Sequence, residues 1–216
     1  MRTLISLLGF FYFFASANAQ DNSDAILWIG PAITKKLDDN FSAKLWHVTR
    51  FNENVSSYFN NFAEGFLSYK INKAHSFGLG YRLTFAERPE PFPDDHWIML
   101  DYKLNASVSE SLDLKNRLRY QHALDLKDFP LGDFFRNILF VVPKTKLKIK
   151  PFLAIEPWFQ TNGVNEFNRF RYEFGFNYKF LEHFNYMMKY SREDIIAIDP
   201  IPTNHIIFSI LTFNIP

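Results

Sequence analysis

The sequence predicts an all-β protein, an antiparallel up-and-down transmembrane β-barrel of ten to twelve strands with twelve preferred, and three observations lead to this prediction. Apolar and polar residues alternate with a period of two along most of the chain, most clearly in residues 170–180, where aromatic residues take one parity and charged or polar residues the other. The N-terminus has the features of an export signal. Finally, the chain combines 19% aromatic residues with a mean hydropathy of −0.17, which is too polar for a helical membrane protein.

The first segment, residues 1–19, is expected to be a signal peptide. Arg2 supplies a positive start, residues 4–14 form an apolar run too short to span a bilayer, and Ala17 and Ala19 give a small-x-small cleavage site. We therefore expect a mature chain that is one transmembrane barrel domain, residues 20–216. The sequence contains no cysteine, so a disulfide framework is excluded.

Strand patterning recurs in eleven segments after the signal. They lie at residues 25–36, 41–51, 59–71, 76–86, 95–108, 112–127, 135–143, 147–159, 167–180, 182–192 and 204–214. Tight connections alternate with longer ones that are rich in Pro, Gly, Asn and charge. Outer-membrane barrels have short periplasmic turns and longer external loops, so this alternation predicts a C-terminus in the periplasm.

The strand count leaves one question open, because bacterial single-chain barrels have an even number of strands. Three alternatives account for eleven segments: residues 20–27 form an extra strand, the N-terminus threads the barrel interior, or two segments are miscounted. Residues 135–143 are the most ambiguous segment, since their apolar residues occupy both parities.

In each strand, the alternate positions that carry polar residues are expected to face the barrel interior. Arg or Lys on the lipid face would cost about 2 to 4 kcal/mol at the bilayer midplane. Basic residues outnumber acidic ones at these inward positions. The residues expected to form an interior charge network are Glu64, Arg82, Arg117, Arg119, Glu156, Arg169, Arg171 and Glu173. A water-filled interior of this kind would favour anions, whereas pairing of these charges across the interior would plug it. A barrel of ten to twelve strands is compatible with both alternatives.

The chain resembles the outer-membrane barrel proteins grouped as domain of unknown function 2490. The resemblance follows short segments in a fixed order: LWIGP at 27–31, KLDD at 36–39, GLGYRL at 78–83, LRY at 118–120, PFLAIEPW at 151–158, NEFNRFR at 165–171 and NH at 204–205. It implies an outer-membrane barrel without an established activity and adds no catalytic residue. The sequence departs from the family pattern at residues 135–143, where an alternating strand bearing an arginine is expected.

An enzyme of the membrane surface, such as a lipase or lipid A deacylase, needs a nucleophile, a base and an orienting group within hydrogen-bond reach. The histidines in or near strands are His47, His96, His122 and His205, and the serines considered as nucleophiles are Ser56, Ser57, Ser191 and Ser209. Only His183 is expected to face the interior. No recognisable spacing links these residues, so we assign no catalytic residue, cofactor or metal ligand.

Partners and location follow from charge and export. Removal of the signal peptide takes away Arg2 and leaves 23 of the 24 basic residues, which equals the 23 acidic residues. This balanced charge indicates no nucleic-acid partner. The expected partner is lipid of the outer membrane of a Gram-negative bacterium, with solute or ligand unknown.

Four tryptophans offer a further binding hypothesis, since Trp28, Trp46, Trp97 and Trp158 all lie toward the external ends of their strands. Strict alternation would turn the indoles inward, where they could hold a sugar or an apolar ligand. The favoured alternative is that β-bulges rotate them outward into an aromatic girdle at the lipid headgroups.

Overall fold

The computed structural model of the protein describes residues 23–86, 95–124, 133–161 and 166–215. The expected signal peptide, residues 1–19, lies outside the described residues. In the described part the chain forms eleven strands: β1 (Ser23–Lys36), β2 (Phe41–Asn52), β3 (Ser57–Lys70), β4 (His75–Ala86), β5 (Asp95–Ser107), β6 (Leu112–Leu124), β7 (Phe134–Pro143), β8 (Ile149–Gln160), β9 (Glu166–Lys179), β10 (Phe184–Asp194) and β11 (Thr203–Ile215). No helix capable of crossing a membrane occurs among these residues.

The strands form one closed barrel, which confirms the predicted all-β barrel but corrects the preferred count of twelve to eleven. Each strand pairs antiparallel with the next, and β1 pairs with β11 in parallel, from Ser23 opposite Thr203 to Lys35 opposite Ile215. An odd number of strands closes because the first and last run in the same direction. The residues considered for an extra strand that the structure describes, 23–27, belong to β1. Ser23 therefore lies at the end of the barrel that carries the longer connections.

Strand β7, the most ambiguous segment of the sequence, has regular alternation. Phe134, Arg136 and Ile138 are buried, whereas Phe135, Asn137 and Leu139 are exposed. The expected departure of residues 135–143 from an alternating strand that bears an arginine is not seen, because β7 alternates and Arg136 is one of its buried residues. Apolar residues occur on both parities here because the interior itself is partly apolar at this point.

The two faces of the sheet differ in polarity. A buried apolar cluster on β1, β2, β3 and β11 fills one side of the interior: Ala32, Val48, Phe62, Phe208 and Ile210. Buried charged residues occupy much of the rest, above all on β6 to β9. The outer wall exposes large apolar side chains such as Leu79 and Leu153, with 54% and 60% of their surfaces accessible.

Candidate functional site

The centre of the interior charge network is Glu156 on β8, whose side chain is 1% accessible. Three arginines, one each from β6, β7 and β9, converge on this carboxylate. Arg117 and Arg136 donate to Oε1 over 3.2 and 2.9 Å, and Arg171 donates to Oε2 over 3.2 Å. Arg117 reaches Glu156 past the intervening strand β7. One buried carboxylate thus joins β6, β7, β8 and β9.

The network continues from Arg171 to β10. Its second terminal nitrogen donates to Glu193, and Arg169 contacts the other oxygen of Glu193 at 3.6 Å. Beside this pair, Lys189 donates to Glu173 over 2.5 Å. Four guanidinium groups therefore surround the carboxylates of Glu156 and Glu193, so positive charge exceeds negative charge in this part of the interior.

A second group of ion pairs connects β3 to β4 and β5 to β6. Arg82 donates from Nε to Glu64 over 2.7 Å. Arg119 holds Asp101 with two parallel hydrogen bonds of 2.7 and 3.0 Å, the bidentate geometry that a guanidinium forms with a carboxylate. Both acids are almost fully buried, and breaking such a pair leaves a charge without compensation.

Aromatic rings fill the space between the arginines. The guanidinium of Arg136 lies 3.6 Å from the centre of the Trp158 ring and that of Arg169 lies 4.7 Å from it. Arg119 on β6 lies 4.8 Å from the ring of Phe66 on β3, three strands away around the barrel. Through these cation–π contacts, arginines pack against aromatic rings of other strands inside the barrel.

All four tryptophans take the inward parity. Trp28 and Trp46 pack between Phe62 and Phe208, with ring centres 5.6 to 6.3 Å apart, Trp97 contacts Phe134, and Trp158 is 8% accessible. The favoured interpretation of an outward girdle therefore does not describe these side chains. Among the described residues they pack against other aromatic side chains.

The structure distributes the eight predicted network residues over these clusters and adds partners that the sequence analysis did not place there. The sequence does not indicate Arg136 because the pattern of its strand is ambiguous, and it does not indicate Glu193 because the predicted strand ends at residue 192. Continuing the parity of Lys189 and Ser191 by one more step would have found Glu193.

The serines and histidines considered for catalysis lie apart in the described part of the chain. Ser191 is buried and donates to Glu173 over 3.3 Å, and Ser209 pairs with the hydroxyl of Tyr186. Ser56 and Ser57 donate to backbone carbonyls. The imidazoles of His96 and His205 contact tyrosine hydroxyls, and that of His122 contacts Asp133. Among the described residues, none of these serines forms a hydrogen bond with a histidine, and no three acidic or histidine side chains are placed to hold a metal ion.

Lysines and arginines occupy different parts of the barrel. The described arginines lie at mid-height or toward the longer connections, which we call the long-loop end. All described lysines except Lys189 lie toward the opposite, short-turn end, where residues 37–40, 71–74, 108–111, 144–148 and 180–183 connect the strands: Lys35, Lys36, Lys44, Lys70, Lys73, Lys103, Lys115, Lys144, Lys146, Lys148, Lys150 and Lys179. The short-turn end is therefore strongly basic.

Comparison with known proteins gives a family but no characterised relative. A family model with the description "Protein of unknown function (DUF2490)" matches residues 25–195, most of the chain. Neither a curated protein nor a solved structure matches the chain significantly.

Proposed function

Because the chain belongs to the DUF2490 family, whose description assigns no activity, we propose a function from the barrel itself: an outer-membrane protein of a Gram-negative bacterium whose predominantly basic interior is closed by ion pairs. Such a barrel acts as a binding or structural element of the membrane and not as an open pore or an enzyme. The observation that carries the proposal is the inverted polarity of the wall, apolar outside and ionic inside.

The outer wall supports the membrane placement. Soluble proteins rarely expose a continuous apolar surface of this extent. On β4, the outward residues run from His75 to Phe85, ten residues apart, which is about 33 Å along a strand and about 25 Å across a membrane at a tilt of roughly 40°. That height matches the apolar band of an outer-membrane barrel.

Histidine and tyrosine pairs mark both limits of this band. His75 contacts Tyr102 at 2.7 Å near the short turns, and Tyr190 contacts His205 at 2.6 Å nearer the long-loop end. Amphipathic rings of this kind favour the level of the lipid headgroups. With short turns in the periplasm, the long-loop end faces the outside of the cell.

The packed interior supports the closed state. Phe62 and Met99 have no accessible surface, and Glu64 and Glu156 have 2% and 1%. The contacts of Arg119 with Phe66 and of Trp28 with Phe62 join strands that are not neighbours. A second candidate function, a small anion-leaning pore, is favoured by one observation, the excess of cations over carboxylates in the interior.

Thiol labelling on whole Gram-negative cells tests the membrane placement, and the absence of native cysteines makes each introduced thiol unique. Ile198 at the long-loop end and Leu181 at the short-turn end are similarly exposed, at 53% and 57%. We expect a membrane-impermeant maleimide to label the variant Ile198→Cys on intact cells and Leu181→Cys only after the outer membrane is permeabilised. The reverse order would refute the orientation, and equal labelling of both would refute the membrane placement.

Planar-bilayer recording of the refolded barrel, residues 20–216, tests the closed interior. We expect a folded barrel, identified by its heat-modifiable mobility on a gel, that passes no discrete current. Anion-selective steps would instead establish the pore. The variant Glu156→Gln serves as a comparison, because a loosened network in a closed barrel should produce steps that the native protein lacks.

A further inference from the structure

The short-turn mouth contains a polar hollow of about 300 Å³ on the inner wall of β2 to β5. Besides Asn40, Asn72, His75 and Asn105, its lining includes six side chains that carry ammonium or hydroxyl donors: Ser42, Ser68, Ser76, Lys70, Lys73 and Lys103. Five of them lie on strands whose pairing fixes their relative positions. Only Lys73 comes from a turn, the one that joins β3 to β4.

The strand register brings these groups into two adjacent rows. Lys70 on β3 lies opposite Ser76 on β4, and Ser76 lies opposite Lys103 on β5. In the next row, Ser42 on β2 lies opposite Ser68 on β3. Since paired strands are about 4.8 Å apart, two ammonium groups flank one hydroxyl within a span of roughly 10 Å at the backbone.

No carboxylate lines this hollow. Asp101, the acid nearest to Lys103, is held by Arg119 through two hydrogen bonds and lies 4.0 Å from Lys103. Asp39, in the turn before β2, is paired with Lys36 at 2.8 Å. Within the described residues, Lys70 and Lys73 form no ion pair.

We propose that this hollow binds the phosphate group of a small anionic solute that enters from the short-turn side. Ammonium and hydroxyl donors with no carboxylate among the lining side chains suit the oxygens of a phosphate, which accepts several charge-assisted hydrogen bonds. A free solute fits better than a lipid headgroup, because the lysines and serines that the strands contribute face the interior, while Tyr69, Phe77 and, of the lining residues, His75 face outward. The inference does not depend on whether the interior conducts.

The basic hollow on the opposite wall of the same mouth provides a matched control. It has a larger volume, about 420 Å³, and four lysines, among them Lys150 and Lys179, but it is lined by Glu182, Leu147, Leu181 and Phe180 instead of hydroxyl groups. Loss of two charges there reproduces the electrostatic change without altering the proposed site.

Isothermal titration of the refolded barrel in a nonionic detergent with inorganic pyrophosphate tests the site. We expect Lys70→Gln combined with Lys73→Gln to weaken binding at least about tenfold, because each charge-assisted hydrogen bond contributes strongly to affinity. Lys150→Gln combined with Lys179→Gln should weaken it less than about threefold, since only long-range attraction is lost. A third variant, Ser42→Ala with Ser68→Ala and Ser76→Ala, keeps every charge and should still weaken binding several-fold.

The outcomes separate a specific site from general attraction. Equal loss in the two lysine variants, or no loss in the serine variant, would overturn the proposal, as would a native barrel that binds neither pyrophosphate nor phosphatidylglycerol in mixed micelles. Binding of phosphatidylglycerol but not of pyrophosphate, lost in the serine variant, would keep the phosphate site and identify a lipid headgroup as its source. Heat-modifiable mobility verifies that each variant is folded, so failure of the site is distinguishable from failure of the barrel.

Discussion

Removal of the Glu156 carboxylate should be the most destabilising isosteric change in the interior. Glu156→Gln preserves volume but deletes the charge that Arg117, Arg136 and Arg171 contact at 3.2, 2.9 and 3.2 Å. Arg171 keeps Glu193, whereas Arg117 and Arg136 have no other carboxylate within ion-pair distance among the described residues. Breaking one buried pair costs about 3 to 5 kcal/mol, so leaving two guanidinium groups unpaired places the expected loss at the upper end of that range.

Urea unfolding of the barrel in lipid vesicles measures this loss, and tryptophan fluorescence is a suitable signal because Trp158 packs on Arg136. With a slope of roughly 3 kcal/mol per molar urea, the midpoint should fall by more than about 1 M. Asp39→Asn, which removes an exposed carboxylate paired with Lys36, should leave the midpoint unchanged.

A double variant tests the reasoning itself. Arg136→Met added to Glu156→Gln removes one of the two unpaired charges, so it should recover part of the lost stability. A midpoint for Glu156→Gln within about 0.3 M of the native value, or strictly additive losses in the double variant, would refute the idea that this carboxylate holds the network together.

Three further predictions concern closure, assembly and the tryptophans. Gly30→Ala should prevent most of the protein from folding, because a Cβ at Gly30 would lie 1.8 Å from the backbone oxygen of His47 on β2. The control Gly65→Ala should fold normally, because no atom lies within 4 Å of the added carbon. Heat-modifiable mobility on a gel measures the folded fraction of both variants. Phe213→Ala, which removes a ring 5.1 Å from that of Phe184 near the end of β11, should lower the amount of folded barrel more than Leu153→Ala does, and an unchanged gel pattern would argue against it. Brominated lipid should barely quench the fluorescence of the four inward tryptophans, whereas the added indole of Leu79→Trp on the outer wall should be quenched strongly.

Strand positions were predictable because each strand separates an exposed apolar face from a largely polar interior, and the period of two in the sequence reflects this separation directly. The same reasoning could not give the strand count. The direction in which β1 pairs with β11 cannot be read from the sequence. Residues alternate with a period of two in both strands whether the pairing is antiparallel or, as for Trp28 opposite Phe208, parallel. The rule of even strand numbers therefore led to twelve, and only the register shows eleven.

The interior was predictable in composition but not in its partners. Alternation placed Glu156 and Arg171 inside, yet nothing in the sequence shows that Arg117 reaches Glu156 past β7. The tryptophans illustrate the opposite error. Their parity indicated the interior, but their position near strand ends favoured a girdle, and parity was the better guide because the interior has an apolar side that accepts indoles.

The separation of arginine from lysine implies that stability and binding reside in different parts of the barrel. Arginine forms bidentate pairs and stacks on rings, as Arg119 and Arg136 do, so arginines at mid-height fix the packed interior. Lysine is a hydrated point charge, and Lys70 and Lys73 remain near water at the mouth. It follows that Glu156→Gln should lower the unfolding midpoint without changing pyrophosphate affinity in the folded protein, whereas the variant that combines Lys70→Gln with Lys73→Gln should do the reverse. If either variant lowered both the unfolding midpoint and the pyrophosphate affinity, the mouth and the packed interior would be energetically coupled.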